Sequence, residues 1–355
     1  MFGSLQYAIS LFSTLLWRAF QGFVPDWQEA SVFGELVFNT SMVGYVEAMT
    51  DPSYAGQLLT FTYPLIGNYG VPDPADWESP KIQTAAIIVS EAADFYHHCD
   101  AKRSLLDWCK SENIPVMFGV DTRALAKTIS HQGVCPASIS LTDEMPKHFP
   151  DINAEHLVKK VSIDAPKTIG NGDKLVIAVD CGMKENIMRH LLKLPIRVKR
   201  VPFDYDFTNE DYDAVFFSNG PGDPSVCTEM IEIAKKVLAQ EKPVFGICLG
   251  SQIMALAIGA QTYKLPFGHR AQNHPCIQEG TDKCFLTSQN HGFCIKEASL
   301  PDDWKILFRN LNDNTVQGIE HKSKPFFSVQ FHPEEAPGPV DTQWLFKRFY
   351  DKIVG

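Results

Sequence analysis

The chain has 355 residues, with 32 lysines and arginines against 42 aspartates and glutamates, a formal net charge of −10. This length points to two domains, and the acidic balance offers no polycationic surface to a phosphate backbone, so nucleic acid is excluded as an expected partner. With 45% hydrophobic and 21% charged residues the composition is that of a globular protein, neither disordered nor membrane-dominated.

The apolar run at 8–17 is too short to span a bilayer. It lacks the preceding positive charge and the small-residue cleavage site of a signal segment, so it reads as an irregular N-terminal strand or helix, with a targeting segment as the alternative, and no membrane partner is expected. From 31 to 165 the texture is mixed α and β. Strand-like runs at 34–38, 57–62 and 84–90 precede helices at 102–111 and 121–131, the second with an Asp121-Thr122 cap and Gly133 after its end. The polar, glycine-bearing stretch 167–174 reads as a linker between a first domain, 1–166, and a second, 175–355.

In the second domain strand, turn and helix alternate three times, at 175–179 then 184–193, 214–217 then 228–240, and 243–247 then 251–260. That pattern predicts an open, mostly parallel sheet flanked by helices, an α/β fold whose chemistry sits at the carboxyl ends of the strands. Short strands at 283–286 and 325–330 and a helix at 342–353 complete it.

Nine cysteines, at positions 99, 109, 135, 181, 227, 248, 276, 284 and 294, are odd in number and form no C-x-x-C pair. A disulfide framework and a zinc ribbon are therefore not expected, nor is any metal site, and the compartment expected is a reducing one, the cytoplasm or alternatively the mitochondrion.

One cysteine stands apart. Gly246-Ile-Cys248-Leu-Gly250 follows an apolar strand and precedes an apolar helix. It reads either as a nucleophile elbow, with glycines permitting the tight turn and the helix N-terminus favouring thiolate, or as a buried cysteine at a strand end. A nucleophile needs a base and the base an orienting group. Phe331-His332-Pro333-Glu334 offers both, since residues two apart in an extended segment face the same side. Ser218-Asn-Gly220-Pro-Gly222-Asp-Pro224 is either a ligand-approach loop or a plain turn. It is not a dinucleotide fingerprint, and no phosphate-binding P-loop occurs.

These motifs, with Gln252 and Gln289-Asn-His-Gly-Phe293, together resemble a class I, cysteine-triad glutamine amidotransferase domain. In the first half, Phe38-Asn-Thr-Ser-Met-Val-Gly-Tyr45, Thr50-Asp-Pro-Ser-Tyr54, Thr62-Tyr-Pro-Leu-Ile-Gly-Asn68 and Gly119-Val-Asp-Thr-Arg123 resemble the N-terminal domain of the glutaminase subunit of carbamoyl phosphate synthetases. The resemblance implies that Cys248 is the nucleophile, His332 the general base and acid, and Glu334 its orienting partner. It implies glutamine contacts at Ser41, Gly220, Gly222, Leu249, Gln252, Asn290, Gly292 and Phe293, with Ser41 in the first domain implying a pocket shared by both halves.

It further implies no cofactor in this chain, with ATP, Mg and bicarbonate used by a partner synthetase, either a large subunit or fused domains. Pyrimidine and arginine biosynthesis are both open as destinations. Two positions depart from the family pattern: Ser251 stands where histidine is usual, and the residues before Phe20 lack the usual acidic, glycine-containing hairpin.

Overall fold

The computed structural model describes residues 7–13, 19–28, 31–141 and 146–355. They form two compact units that divide between Asn153 and Ala154.

The first unit is built on a seven-stranded sheet, in spatial order Phe20–Val24, Tyr7–Ser13, Cys135–Ser140, Val32–Asn39, Gln57–Phe61, Ala86–Ile88 and Val116–Met117. The last four strands are mutually parallel, and the first three join antiparallel. Alternation assigns the two faces. Leu36, Leu58 and Ile88 pack with Leu125 and Ile129 of the helix Thr122–Gln132, while Val37, Leu59 and Ile87 pack with Tyr45, Trp77 and Trp108. The helix begins where expected because the Asp121 carboxylate accepts the Ala124 N–H at 2.8 Å. The apolar N-terminal run enters as the strand Tyr7–Ser13, with Leu11 fully buried; residues 14–17 of that run lie outside the described residues.

The second unit carries a ten-stranded sheet. Its parallel centre runs Ile196–Pro202, Lys174–Asp180, Ala214–Phe217, Val244–Ile247 and Phe326–Val329. The four after Ile196–Pro202 are largely apolar runs because both faces are covered. On one side the helix Trp344–Val354 sets Phe346 and Phe349 against Phe216 and Phe245, and Phe245 stacks on Phe327 at 4.4 Å between ring centroids. On the other, Met230, Ile233 and Val237 of the helix Thr228–Ala239 meet Val215 and Phe217.

Two expectations change. The segment 167–174 is not a linker: Lys167–Gly170 pairs antiparallel with Ile196–Pro202 at the sheet edge, and Lys174 already begins the next strand. Its glycines serve close packing, since a Cβ on Gly172 would meet the Pro195 carbonyl oxygen at 2.2 Å. The unit boundary accordingly falls before this segment. The strand expected at 283–286 is only the start of Cys284–Ile295, which pairs with Thr262–Gln278 in a long hairpin. Pro266 and Pro275 and two register shifts break the alternation by which a strand is recognised.

Candidate active site

The site is assembled at the carboxyl ends of the parallel strands of the second unit. Val244–Ile247 ends at Cys248, and the helix Leu249–Ala257 starts on the next residue. Cys248 sits at φ 53, ψ −106, a conformation rare for any residue but glycine, and is 2% exposed. The turn closes because Gly250 has no side chain: a Cβ there would lie 2.2 Å from the Phe217 carbonyl oxygen. This is the strained strand-to-helix geometry of a nucleophile elbow. The Leu249 N–H belongs to the first turn, which has no intrahelical acceptor. Gly220, at the end of the neighbouring strand, packs so closely that an added Cβ would meet Leu249 Cδ2 at 2.8 Å and the Cys181 carbonyl oxygen at 2.1 Å.

His332 follows the strand Phe326–Val329, and its N–H donates to the Ser288 carbonyl at 2.9 Å. Its Nδ1 meets Glu334 Oε1 at 2.6 Å, so the carboxylate accepts the Nδ1–H hydrogen bond and leaves Nε2 for chemistry. Both groups are almost wholly buried. Burial alone would push the imidazole pKa down; the Glu334 carboxylate and the Cys248 sulfur beside it instead raise it to about 10. For Glu334 burial works the other way, but Lys184 and His332 hold the carboxyl down at about 2. His332 therefore stands as imidazolium and Glu334 as carboxylate.

Lys184 is the member of the site that sequence reasoning missed. It is 3% exposed, its Nζ lies 3.1 Å from Glu334 Oε1 and also donates to the Glu335 carbonyl, and Asn186 Nδ2 donates to the Glu334 carbonyl. A signal existed: a lysine at the start of the helix Glu185–Leu191 opposes the helix dipole, so it invites another explanation. Replacing Lys184 by methionine breaks a buried ion pair, and such losses cost about 3–5 kcal/mol. The urea unfolding midpoint is expected to fall, with Glu334 easier to protonate.

Of the remaining second-unit residues, Asn290 meets Cys248 directly. The Cys248 Sγ lies 3.7 Å from the Asn290 carbonyl oxygen, and Gln252 Nε2 donates to the Phe293 carbonyl at 2.9 Å and to Gln330 Oε1 at 3.1 Å. Gly292 lies on the same strand, where a Cβ would be 3.4 Å from Arg270 Nη2; Gly222 has φ 87 and faces Leu157. Ser41 belongs to the first unit, where its N–H donates to Asn39 Oδ1 at 2.7 Å. Ser251 forms a buried 2.7 Å hydroxyl pair with Ser328 under the elbow.

A second network backs the strand that carries Asn290 and Gly292. The residues alternating with these, Gln289 and His291, turn inward: Gln289 Oε1 lies 3.0 Å from His269 Nδ1 and 3.0 Å from His291 Nε2. His269 Nε2 in turn meets Asp313 at 2.7 Å. Burial holds the His291 pKa far below its ordinary value, so the ring is neutral, and its Nδ1–H donates to the Phe293 carbonyl at 2.8 Å. Among the described residues the only cluster with metal-ligand geometry is the exposed His98-Cys99-Asp100, remote in sequence from these motifs, and no helix is long and apolar enough to cross a membrane.

Comparison with known proteins places both units. Residues 177–352 match the family model "Glutamine amidotransferase class-I", and residues 18–139 match "Carbamoyl-phosphate synthase small chain, CPSase domain". The chain is 43% identical over 341 residues to a carbamoyl phosphate synthase arginine-specific small chain of Aspergillus oryzae, covering 91% of this chain and 76% of that one. It is 49% identical over 335 residues to Multifunctional protein CAD of Squalus acanthias and 44% over 369 residues to Multifunctional protein URA2 of Saccharomyces cerevisiae. Those matches cover 91% and 92% of this chain but only 15% and 17% of these much longer relatives. With a small-chain domain followed by a class I amidotransferase domain, and with relatives this similar along nine-tenths of its length, the chain belongs to the carbamoyl phosphate synthase small-chain family.

Proposed function

We propose that this chain is the glutaminase component of a carbamoyl phosphate synthase, hydrolysing glutamine to glutamate and ammonia for a synthetase partner that uses bicarbonate, ATP and Mg. The observation that carries the reading is the buried line Cys248, His332, Glu334, Lys184, with the cysteine strained at a helix start and the imidazole charged beside it.

In this reading the Cys248 sulfur attacks the side-chain amide carbon of glutamine. The oxyanion that develops is met by the Leu249 N–H at the helix start. His332 gives its Nε2 proton to the departing nitrogen, so ammonia leaves and a glutamyl thioester remains. Water then attacks the thioester, His332 takes a proton from it, and glutamate departs with the sulfur restored. Glu334 moves no proton; it fixes the ring and stabilises its charge, and Lys184 stabilises Glu334. Gly220, Gln252, Asn290, Gly292 and Phe293 shape the glutamine pocket.

Free ammonia is largely protonated at neutral pH and is then no nucleophile, so hydrolysis uncoupled from synthesis wastes glutamine. Turnover by this chain alone is therefore expected to be slow, and to rise when a synthetase partner loaded with bicarbonate and ATP is added. Identical glutamate production in both conditions would contradict coupling, and none in either would contradict the function. The inward network gives a separate expectation. Gln289→Leu removes the carbonyl that accepts from His269 Nδ1–H, loosens the strand bearing Asn290 and Gly292, and should raise KM for glutamine about tenfold with a smaller change in kcat. Steady-state kinetics with glutamine as the varied substrate reads both constants.

A further inference from the structure

The first unit holds a cavity of about 540 Å³ that the glutaminase reading does not use. It opens at the carboxyl ends of the parallel strands Val32–Asn39, Gln57–Phe61 and Ala86–Ile88, the end of a parallel sheet where ligands are characteristically received. The register aligns Phe38 with Thr60 and Thr60 with Ile88, so beyond this rung Thr40, Thr62 and Ser90 continue the same face of the sheet. Thr60 Oγ1 lies one rung deeper on that face, fully buried and with no hydrogen-bond partner among the described residues.

The helix Thr122–Gln132 forms the opposite wall. Leu125 and Ile129 anchor it on the core, which turns the neighbouring stripe of Arg123, Ala126, Lys127 and Ser130, spaced i, i+3, i+4 and i+7, toward the cavity. Arg123 and Lys127 are exposed, stand one helical turn apart and repel each other, and neither makes an ion pair among the described residues. The acid at this wall, Asp121, is engaged as the helix cap. Two cations with strand-end hydroxyls opposite them complement a tetrahedral dianion, and Phe38, Pro64 and Ala126 supply an apolar surface beside it.

We propose that this crevice is a binding site for a small organic phosphate, its phosphoryl group held by Arg123 and Lys127 and its organic part lying against Phe38 and Pro64. The volume suits such a ligand. Binding is read independently of glutamine hydrolysis, so the two readings stand or fall separately.

The test is calorimetric titration of the full chain with phenyl phosphate and with inorganic phosphate at constant ionic strength. Saturable binding of phenyl phosphate is expected, tighter than that of inorganic phosphate, and at least about tenfold weaker in the double variant Arg123→Gln, Lys127→Gln, because removing even one charge-assisted hydrogen bond to the phosphoryl group weakens binding by about that factor. These side chains are exposed, so the fold should survive, as unchanged circular dichroism would verify. Ala126→Glu, which sets a negative charge inside the stripe, should abolish binding by a second route. Absence of saturation, or equal affinity in wild type and both variants, would overturn the site. Equal affinity for the two phosphates would overturn its organic half.

Discussion

Cys248→Ser is expected to abolish glutamine-dependent synthesis of carbamoyl phosphate, by at least about 10³-fold, while leaving synthesis from added ammonia largely intact. Sulfur is a competent nucleophile at neutral pH because it sheds its proton far more readily than a hydroxyl does. A serine on the same strained turn would keep the shape of the elbow and lose this chemistry. The substitution is nearly isosteric in a site that is 2% exposed, so no cavity of consequence forms and the fold is expected to survive. The two assays, glutamine-dependent and ammonia-dependent, are run on the same assembled complex, which separates loss of chemistry from loss of assembly.

The second large effect concerns His332 and Glu334, whose roles are unequal. His332→Asn removes the group that in the proposed mechanism protonates the departing ammonia and then deprotonates water, and should cost about 10²-fold or more in kcat. Glu334→Gln keeps an atom within reach of Nδ1 and should cost less at neutral pH.

Its signature lies in the pH profile. In the wild type the imidazole pKa is raised to about 10, so the proton needed by the leaving group is present below that pH and lost above it. Glu334 is the largest of the groups raising it, and burial, which favours the neutral ring, opposes them. With the carboxylate gone the alkaline limb of kcat should move downward toward neutrality. An unmoved limb, or equal losses at neutral pH in the two variants, would contradict these roles.

Much of this was legible in the residues because the decisive features are local. An apolar run of four to seven residues, a glycine-flanked turn and an apolar helix form a self-contained message, so the strands at 174–180, 214–217 and 244–247 and the elbow at Cys248 follow from sequence periodicity. His332 and Glu334 are two residues apart in extended chain, which is a local relation too. Lys184 reaches Glu334 across 150 residues of sequence, and no spacing along the chain announces such a meeting. The long hairpin Thr262–Gln278 with Cys284–Ile295 was hidden for a related reason: its inward groups are polar, His269, Gln289 and His291, satisfied by each other instead of by an apolar core. The glycines of 167–174 look like those of a flexible linker until the Pro195 carbonyl packed against Gly172 is seen.

The central claim is that glutamine is opened by a covalent bond to Cys248, and acid quench of the chain during turnover, followed by peptide mass measurement, tests it most directly. The account predicts one glutamyl group on the peptide containing Cys248, sensitive to hydroxylamine as a thioester must be, and none on that peptide in Cys248→Ser. A glutamyl group found on another of the nine cysteines, or steady hydrolysis of glutamine by the serine variant, would contradict it.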